Sequence, residues 1–128
     1  MWRPTFLREK KMDLFEELEP LGLDTNEALT RFMGNRQLLE MMLKKVPEYI
    51  EKNKDVIPEI QAGNVDGAIQ KAHTLKGNMG NLSIKPLFEA YAKITEQLRA
   101  GDLAGATEGV NAIQETQQKV FDVIRQFC

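Results

Sequence analysis

The chain has 128 residues, a formal net charge of −2 and a charged fraction of 28%. This length suits one domain with its own hydrophobic core. The charge balance lacks the strong basic excess of a nucleic-acid-binding surface, and no apolar run reaches the roughly 20 residues of a membrane span. We therefore expect no nucleic-acid partner and no membrane contact.

The chain contains one cysteine, Cys128, and one histidine, His73. A single thiol cannot form an internal disulfide, and one imidazole with one terminal thiol provides too few ligands for a zinc site. These observations predict a cytoplasmic protein without a metal site of its own.

The first twelve residues carry four basic side chains, but residues 1–20 lack the apolar stretch of a secretory signal. We interpret it as an N-terminal extension or linker that can form a short extra helix. Its apolar residues, together with the first one beyond it, could line one stripe: Phe6, Leu7, Leu14, Leu18 and Leu21. Residues 21–128 then form the main domain.

The first half of the main domain has apolar residues at steps of three and four, the spacing of a helix with one buried face. A short helix is predicted over residues 24–33, ended by Gly34. A longer helical region is predicted over residues 38–60, and Pro47 and Pro58 should kink or restart it. The apolar residues of that region are Leu38, Met41, Met42, Val46, Tyr49, Ile50, Val56, Ile57 and Ile60.

Three cleaner apolar stripes occupy the second half of the chain. The first is Val65, Ala68, Ala72, Leu75, Met79 and Leu82; the second is Ile84, Leu87, Tyr91, Ile94 and Leu98; the third is Leu103, Ala106, Val110, Ile113, Val120, Ile124 and Phe127. Gln117 is the one polar residue that interrupts the third stripe. Each stripe predicts a helix with one face in the core.

The joints between these helices are short. Gly63 and Gly101 are predicted to end helices in a left-handed conformation, and the residues after them, Asn64 and Asp102, to cap the next ones. Ser83 is the predicted cap at the third joint, with Pro86 in the first turn. Short joints make neighbouring helices antiparallel, so the predicted fold is all-α: an antiparallel up-down-up-down four-helix bundle with a short extra N-terminal helix.

On a helical wheel, His73 lies about 130° from the centre of the first stripe and so points to solvent. The same face carries Asp66, Ile69 and Gln70 before the histidine and Gly77 and Gly80 after it, with Lys76 on its flank. Each helix glycine costs about 1 kcal/mol relative to alanine. We interpret these glycines as giving a macromolecular partner access to the imidazole. An exposed nucleophilic nitrogen with a cation nearby suits a phosphoryl group.

Two plainer interpretations exist for the same residues. A lone histidine on a helix usually has no special role, and helix glycines often mark close helix–helix packing. The second interpretation would place the glycines on the apolar stripe, whereas the wheel places them opposite it.

The segment His73-Thr74-Leu75-Lys76-Gly77, with Ala72 before it and Gly80, Asn81 and Leu82 after it, resembles the signature of histidine-containing phosphotransfer (HPt) domains of bacterial phosphorelays. The resemblance continues through Leu87 and the joint at residues 99–102. Upstream it includes residues 31–35, Leu38, Leu39, Met42 and Leu43. It covers about residues 23–127.

The resemblance implies a role for each site residue. His73 would accept a phosphoryl group through Nε2, Lys76 would help to hold the phosphoryl oxygens, and Gly77 and Gly80 would give the partner room. The partners would be response-regulator receiver domains, which bring an aspartyl phosphate and a magnesium ion, and a hybrid sensor histidine kinase. The chain itself would bind no cofactor and no metal, and we expect a monomer.

One position departs from the family pattern. Many relatives have a Glu or Gln on the third bundle helix that hydrogen-bonds the other ring nitrogen, and Thr95 aligns with that position here, followed by Glu96 and Gln97. Any of these three residues could orient His73.

An autonomous enzyme is not expected, because the sequence has neither a Walker loop nor a G-x-G-x-x-G motif, and an outward histidine serves a catalytic triad poorly. The expected function is a phosphorelay intermediate that carries phosphate on His73 between receiver domains, without autokinase activity. The alternative from another class is a helical adaptor that docks signalling partners through the same face without accepting phosphate.

Overall fold

A computed structural model describes residues 12–128, and the regular secondary structure of this part is helical. In chain order the helices are α1 (Leu14–Leu18), α2 (Thr25–Arg31), α3 (Arg36–Leu43), α4 (Val46–Asn53), α5 (Val56–Gln61), α6 (Val65–Asn81), α7 (Lys85–Arg99) and α8 (Leu103–Arg125), with a 3-10 turn at Glu19–Leu21. The predicted all-α class is therefore confirmed.

The three long helices pack in sequence, α6 against α7 and α7 against α8, while α4 and α5 pack on both α6 and α8. Joints of three residues, 82–84 and 100–102, connect the long helices. The residues predicted as stripes supply the largest side chains of the core, among them Leu75, Met79, Leu87, Tyr91 and Ile94. The chain thus forms a helical bundle, and its up-down-up-down order stays a prediction.

The region predicted as one long helix is divided into α3, α4 and α5. Pro47 and Pro58 lie in the first turns of α4 and α5, where the missing N–H would have no intrahelical acceptor. The prediction for the start of this region was wrong in detail. Leu38 and Met41 are 39% and 59% exposed, and Leu39 is buried instead. The break between α3 and α4 resets the helical phase, so one continuous stripe cannot describe both helices.

The two glycine joints have the predicted geometry. Gly63 and Gly101 have φ values of +78° and +81°. The Asn64 side chain accepts a hydrogen bond from Gly67 N at 3.1 Å, and Asp102 caps α8 in the same way. Caps of this kind satisfy one of the four free N–H groups at a helix start.

The predicted cap at the third joint was wrong. Ser83 has a φ of +57° and is buried, and Ile84 holds the cap position of α7 without a side-chain hydrogen bond. The Ser83 hydroxyl donates a hydrogen bond to Glu27 of α2 instead. Pro86 does lie in the first turn of α7, as predicted.

Helix α1 belongs to the same core as the long helices. Leu14, Phe15 and Leu18 are buried there, and Leu21 packs against them. Residues 14–18 thus pack with the bundle, and the division of the chain after residue 20 stays a prediction. Phe6 and Leu7, which were assigned to the same stripe, lie outside the described residues.

Glu27 connects α2 to the joint between α6 and α7. Its carboxylate accepts hydrogen bonds from Ser83 Oγ at 2.7 Å and from Lys85 Nζ at 2.8 Å. The hydrogen bond from Lys85, followed by that from Ser83, lowers the pKa of Glu27 from 4.5 to about 2. Glu27 is therefore ionised at every pH at which the protein is expected to work.

The first prediction concerns Glu27→Gln. Because the folded-state pKa lies below the ordinary value, the carboxylate contributes stability above pH 4.5, and this contribution is lost as the pH falls through about 2. Thermal melts of both proteins should show a lower Tm for Glu27→Gln at neutral pH and a difference that shrinks towards zero near pH 2. A difference that is independent of pH would contradict the ion pair's contribution.

The polar interruption of the third stripe also has a partner. The Tyr91 hydroxyl of α7 donates a hydrogen bond to Oε1 of the buried Gln117 of α8. Burial raises the pKa of Tyr91 to about 12, so the hydroxyl stays protonated and remains a donor. A buried pair of this kind is costly to break, because the partner left behind has no water to replace the lost bond.

The second prediction is a double-mutant cycle on this pair. Gln117→Leu and Tyr91→Phe should each lower the free energy of unfolding by about 1–3 kcal/mol, since each leaves a buried polar group unpaired. The free energy of unfolding of the combined variant should fall by less than the sum of the two single losses, because no unpaired polar group remains. Urea denaturation measures all three, with the exposed Gln114→Leu on the same helix as the control. Strict additivity would contradict the coupling.

Candidate functional site

His73 lies on the outer face of α6. The ring is exposed, whereas Ala72, Leu75 and Met79 of the same helix are completely buried. Within residues 12–128, no side chain forms a hydrogen bond or an ion pair with the imidazole. The imidazole is therefore exposed and has no hydrogen-bond partner in this part of the chain.

Gly77 leaves the next turn of this face bare. A Cβ atom built on Gly77 would meet no atom within 4 Å, so packing does not require a glycine here. Alanine would fit and would stabilise the helix. Contact between helices therefore does not explain this glycine, and its interpretation as giving a partner access to His73 stays a prediction.

Gly80 has a different environment, and the assignment of this residue to the open face was wrong. A Cβ atom on Gly80 would lie 2.8 Å from Cδ1 of Phe88 on α7, a separation that real contacts do not reach. Gly80 is half-buried and allows α7 to approach α6 closely. The helical wheel missed this because it measures only the angle to the main apolar stripe, and α7 packs on a second flank.

Lys76 lies at the edge of the same face and is half-buried. In the described part of the chain, no carboxylate lies within 4.0 Å of its ammonium group. Lys71 of the same helix, by contrast, forms an ion pair with Glu59 of α5 at 3.1 Å. Lys76 is thus a cation available to an anion near His73.

A cleft opens beside this face, between α6, α2 and the start of α7. Its lining residues are Glu27, Arg31, Lys76, Gly77, Gly80, Asn81, Ser83, Lys85 and Phe88. Sequence analysis did not assign Glu27, Arg31, Ser83 or Lys85 to the site. Arg31 and Lys85 are more than fifty residues apart, and no local spacing connects them.

The three residues that precede His73 on this face differ in exposure. Asp66 and Gln70 are exposed, and Asp66 forms no ion pair within residues 12–128, whereas Ile69 is half-buried and packs against the core. The Gln70 carbonyl also accepts a hydrogen bond from the Thr74 hydroxyl at 2.8 Å. The predicted docking face is therefore polar at two positions and partly apolar at the third.

None of the three candidate orienting residues reaches His73. The Thr95 hydroxyl is buried and donates to the Tyr91 carbonyl at 2.7 Å, and Glu96 is exposed on α7. Gln97 lies against α8, where its Oε1 is buried without a partner among the described residues. The imidazole is therefore not fixed by a residue of α7.

Among residues 12–128, no three His, Cys, Asp or Glu side chains are grouped closely enough to hold a metal ion. None of the helices described is both long and apolar enough to cross a membrane.

Comparison with known proteins gave one informative match. The model of the Hpt domain family matches residues 37–122, which include His73, Lys76 and Gly77 and most of the bundle. Helices α1 and α2 lie before the matched region. Comparisons with curated proteins and with solved structures gave no match.

The third prediction separates the two glycines. Gly77→Ala and Gly80→Ala gain the same helix propensity, but only the second adds a methyl group against Phe88. We expect Gly80→Ala to be less stable than Gly77→Ala by about 1–3 kcal/mol, the usual cost of overpacking. Chemical denaturation measures both, with the wild type as reference. Equal stabilities would show that Phe88 does not need the space.

Proposed function

Since the chain belongs to the Hpt domain family, which serves histidine phosphotransfer in phosphorelays, we propose that it carries a phosphoryl group on His73. The single observation that supports this assignment most strongly is the exposure of the chain's one histidine on a helix face that is bare one turn further along. A phosphoacceptor must meet the donor's phosphorus directly, and a buried ring could not.

The proposed reaction is an in-line displacement on the aspartyl phosphate of a receiver domain. The lone pair of His73 Nε2 attacks phosphorus and forms the N–P bond, while the P–O bond to the aspartyl carboxylate breaks and the carboxylate keeps its electron pair. Transfer to the next receiver is the same step in reverse. The transition state of phosphoryl transfer is loose, so positioning and charge stabilisation carry most of the catalysis.

Lys76 supports this step by its charge. Its unpaired ammonium lies one turn from His73 at the mouth of the cleft, where it can contact the phosphoryl oxygens. The receiver's own magnesium ion supplies further positive charge when the two proteins are docked. The proposed docking face is Asp66, Ile69, Gln70 and Gly77 around His73.

The proposed partners follow from this reaction. An Hpt domain interacts with response-regulator receiver domains, and we propose that one of them is attached to a hybrid sensor histidine kinase. The protein would act as a cytoplasmic monomer and would take phosphate only from phosphorylated receivers, since its sequence has no ATP-binding motif.

The fourth prediction tests the acceptor. His73→Gln should abolish transfer of label from a phosphorylated receiver, while its Tm stays close to that of the wild type, because the ring is exposed. The label on the wild type should be acid-labile and alkali-stable, as expected of phosphohistidine.

Two results would count against the proposal. Label on His73→Gln would place the acceptor elsewhere in the chain. A wild type that binds receivers but stays unlabelled would favour the adaptor.

A further inference from the structure

The cleft beside His73 is positively charged although the chain as a whole is acidic. Three cations, Arg31, Lys76 and Lys85, line it together with one carboxylate, Glu27, whereas the net charge of the chain is −2. A local excess of one sign against the sign of the whole molecule attracts a partner group of opposite charge. The cleft is therefore suited to an anionic group.

Glu27 cannot neutralise all of these cations. Its two oxygens are occupied by Ser83 and Lys85, at 2.7 and 2.8 Å. Arg31 makes only longer contacts, 3.6 Å to Glu27 Oε1 and 3.4 Å to Ser83 Oγ, and its side chain is 48% exposed. A guanidinium has five N–H donors in a planar fork, so Arg31 retains donors for a second carboxylate.

The turn that holds this network is strained. Ser83 is buried and has a φ of +57°, a left-handed backbone conformation that is unfavourable for a non-glycine residue. Glycine would remove that cost but would also remove the hydroxyl that binds Glu27 and contacts Arg31. Such strain persists where the surroundings hold it and is concentrated at functional sites. The serine therefore helps to fix the charged wall of the cleft.

The cleft is lined by residues from the region that matches the Hpt family model and by residues from outside that region. Lys76, Gly77 and Lys85 lie within residues 37–122, which the Hpt family model covers, whereas Glu27 and Arg31 belong to α2. A partner that covers His73 and Gly77 also covers part of the cleft, because Gly77 is one of its lining residues. Arg31 can thus contact a group of the partner that the residues of the matched region do not contact.

We propose that Arg31 is a specificity-determining residue that binds an acidic side chain of the receiver domain docked over His73. This inference rests on the proposed function, because it takes a receiver domain as the molecule that binds over His73 and the cleft. The bond would be a bidentate pair between the guanidinium and a carboxylate. A pair at the rim of an interface acts mainly on partner selection and on the association rate.

The test uses the full chain, phosphorylated on His73, and each purified receiver domain of the source organism. For the receiver that accepts label fastest, Arg31→Glu should lower kcat/KM about tenfold or more by raising KM, with kcat unchanged, and higher ionic strength should shrink the effect. Arg31→Gln, which adds no charge beside Glu27, should give a smaller loss in the same direction.

Arg125→Glu is the matched control, because it makes the same charge change in a separate groove lined by Lys44, Glu48 and Cys128. Its kcat/KM should stay close to that of the wild type. Replacement of the contacting acidic residue of the receiver by lysine should restore transfer with Arg31→Glu. Equal KM values for the wild type, Arg31→Glu and Arg31→Gln would overturn the proposal.

A small donor distinguishes failure of this inference from failure of the proposed function. Phosphoramidate reaches an exposed imidazole without docking, so it should label both the wild type and Arg31→Glu when high ionic strength screens the change of charge. If both proteins are labelled but the substitution leaves the KM for the receiver unchanged, the assignment of Arg31 is wrong. The assignment of His73 as the phosphoacceptor is then retained. If phosphoramidate and all receivers leave the wild type unlabelled, the proposed function itself is wrong.

Discussion

The arrangement of the site depends on the burial of one face of α6. Ala72, Leu75 and Met79 are fully buried against the neighbouring helices, and this burial sets the rotation of α6 about its own axis. Because successive helix residues are about 100° apart, the residue after Ala72 is turned away from the core. His73 is exposed for this reason.

The two sides of the histidine face serve different purposes. At Gly77 the missing side chain leaves open space in front of α6, whereas at Gly80 it admits the ring of Phe88 from α7. One turn of the helix thus leaves space for the proposed partner, and the next supports the packing of α7 against α6. Glycine is thus required by helix packing at position 80 but not at position 77.

The charged cleft shows how the bundle extends this face beyond α6. Glu27 ties α2 to the turn between α6 and α7, and Ser83 maintains that tie through a strained backbone conformation. Arg31 is thereby held near Lys76, at the edge of the surface that a docking receiver would cover. A segment outside the family match is in this way part of the same surface as the proposed phosphoacceptor.

The amino-acid sequence by itself determined the helical class, the glycine joints and the outward direction of His73, because each depends on residues within a few positions of one another. Apolar spacing reports the buried face of one helix, and Gly63 with Asn64 suffices to end one helix and cap the next. Only the tertiary structure decided the surroundings of Gly80, Ser83 and Arg31. Each of these depends on contacts with a distant segment of the same chain. A helical wheel describes one helix and does not include a second helix packed on its flank.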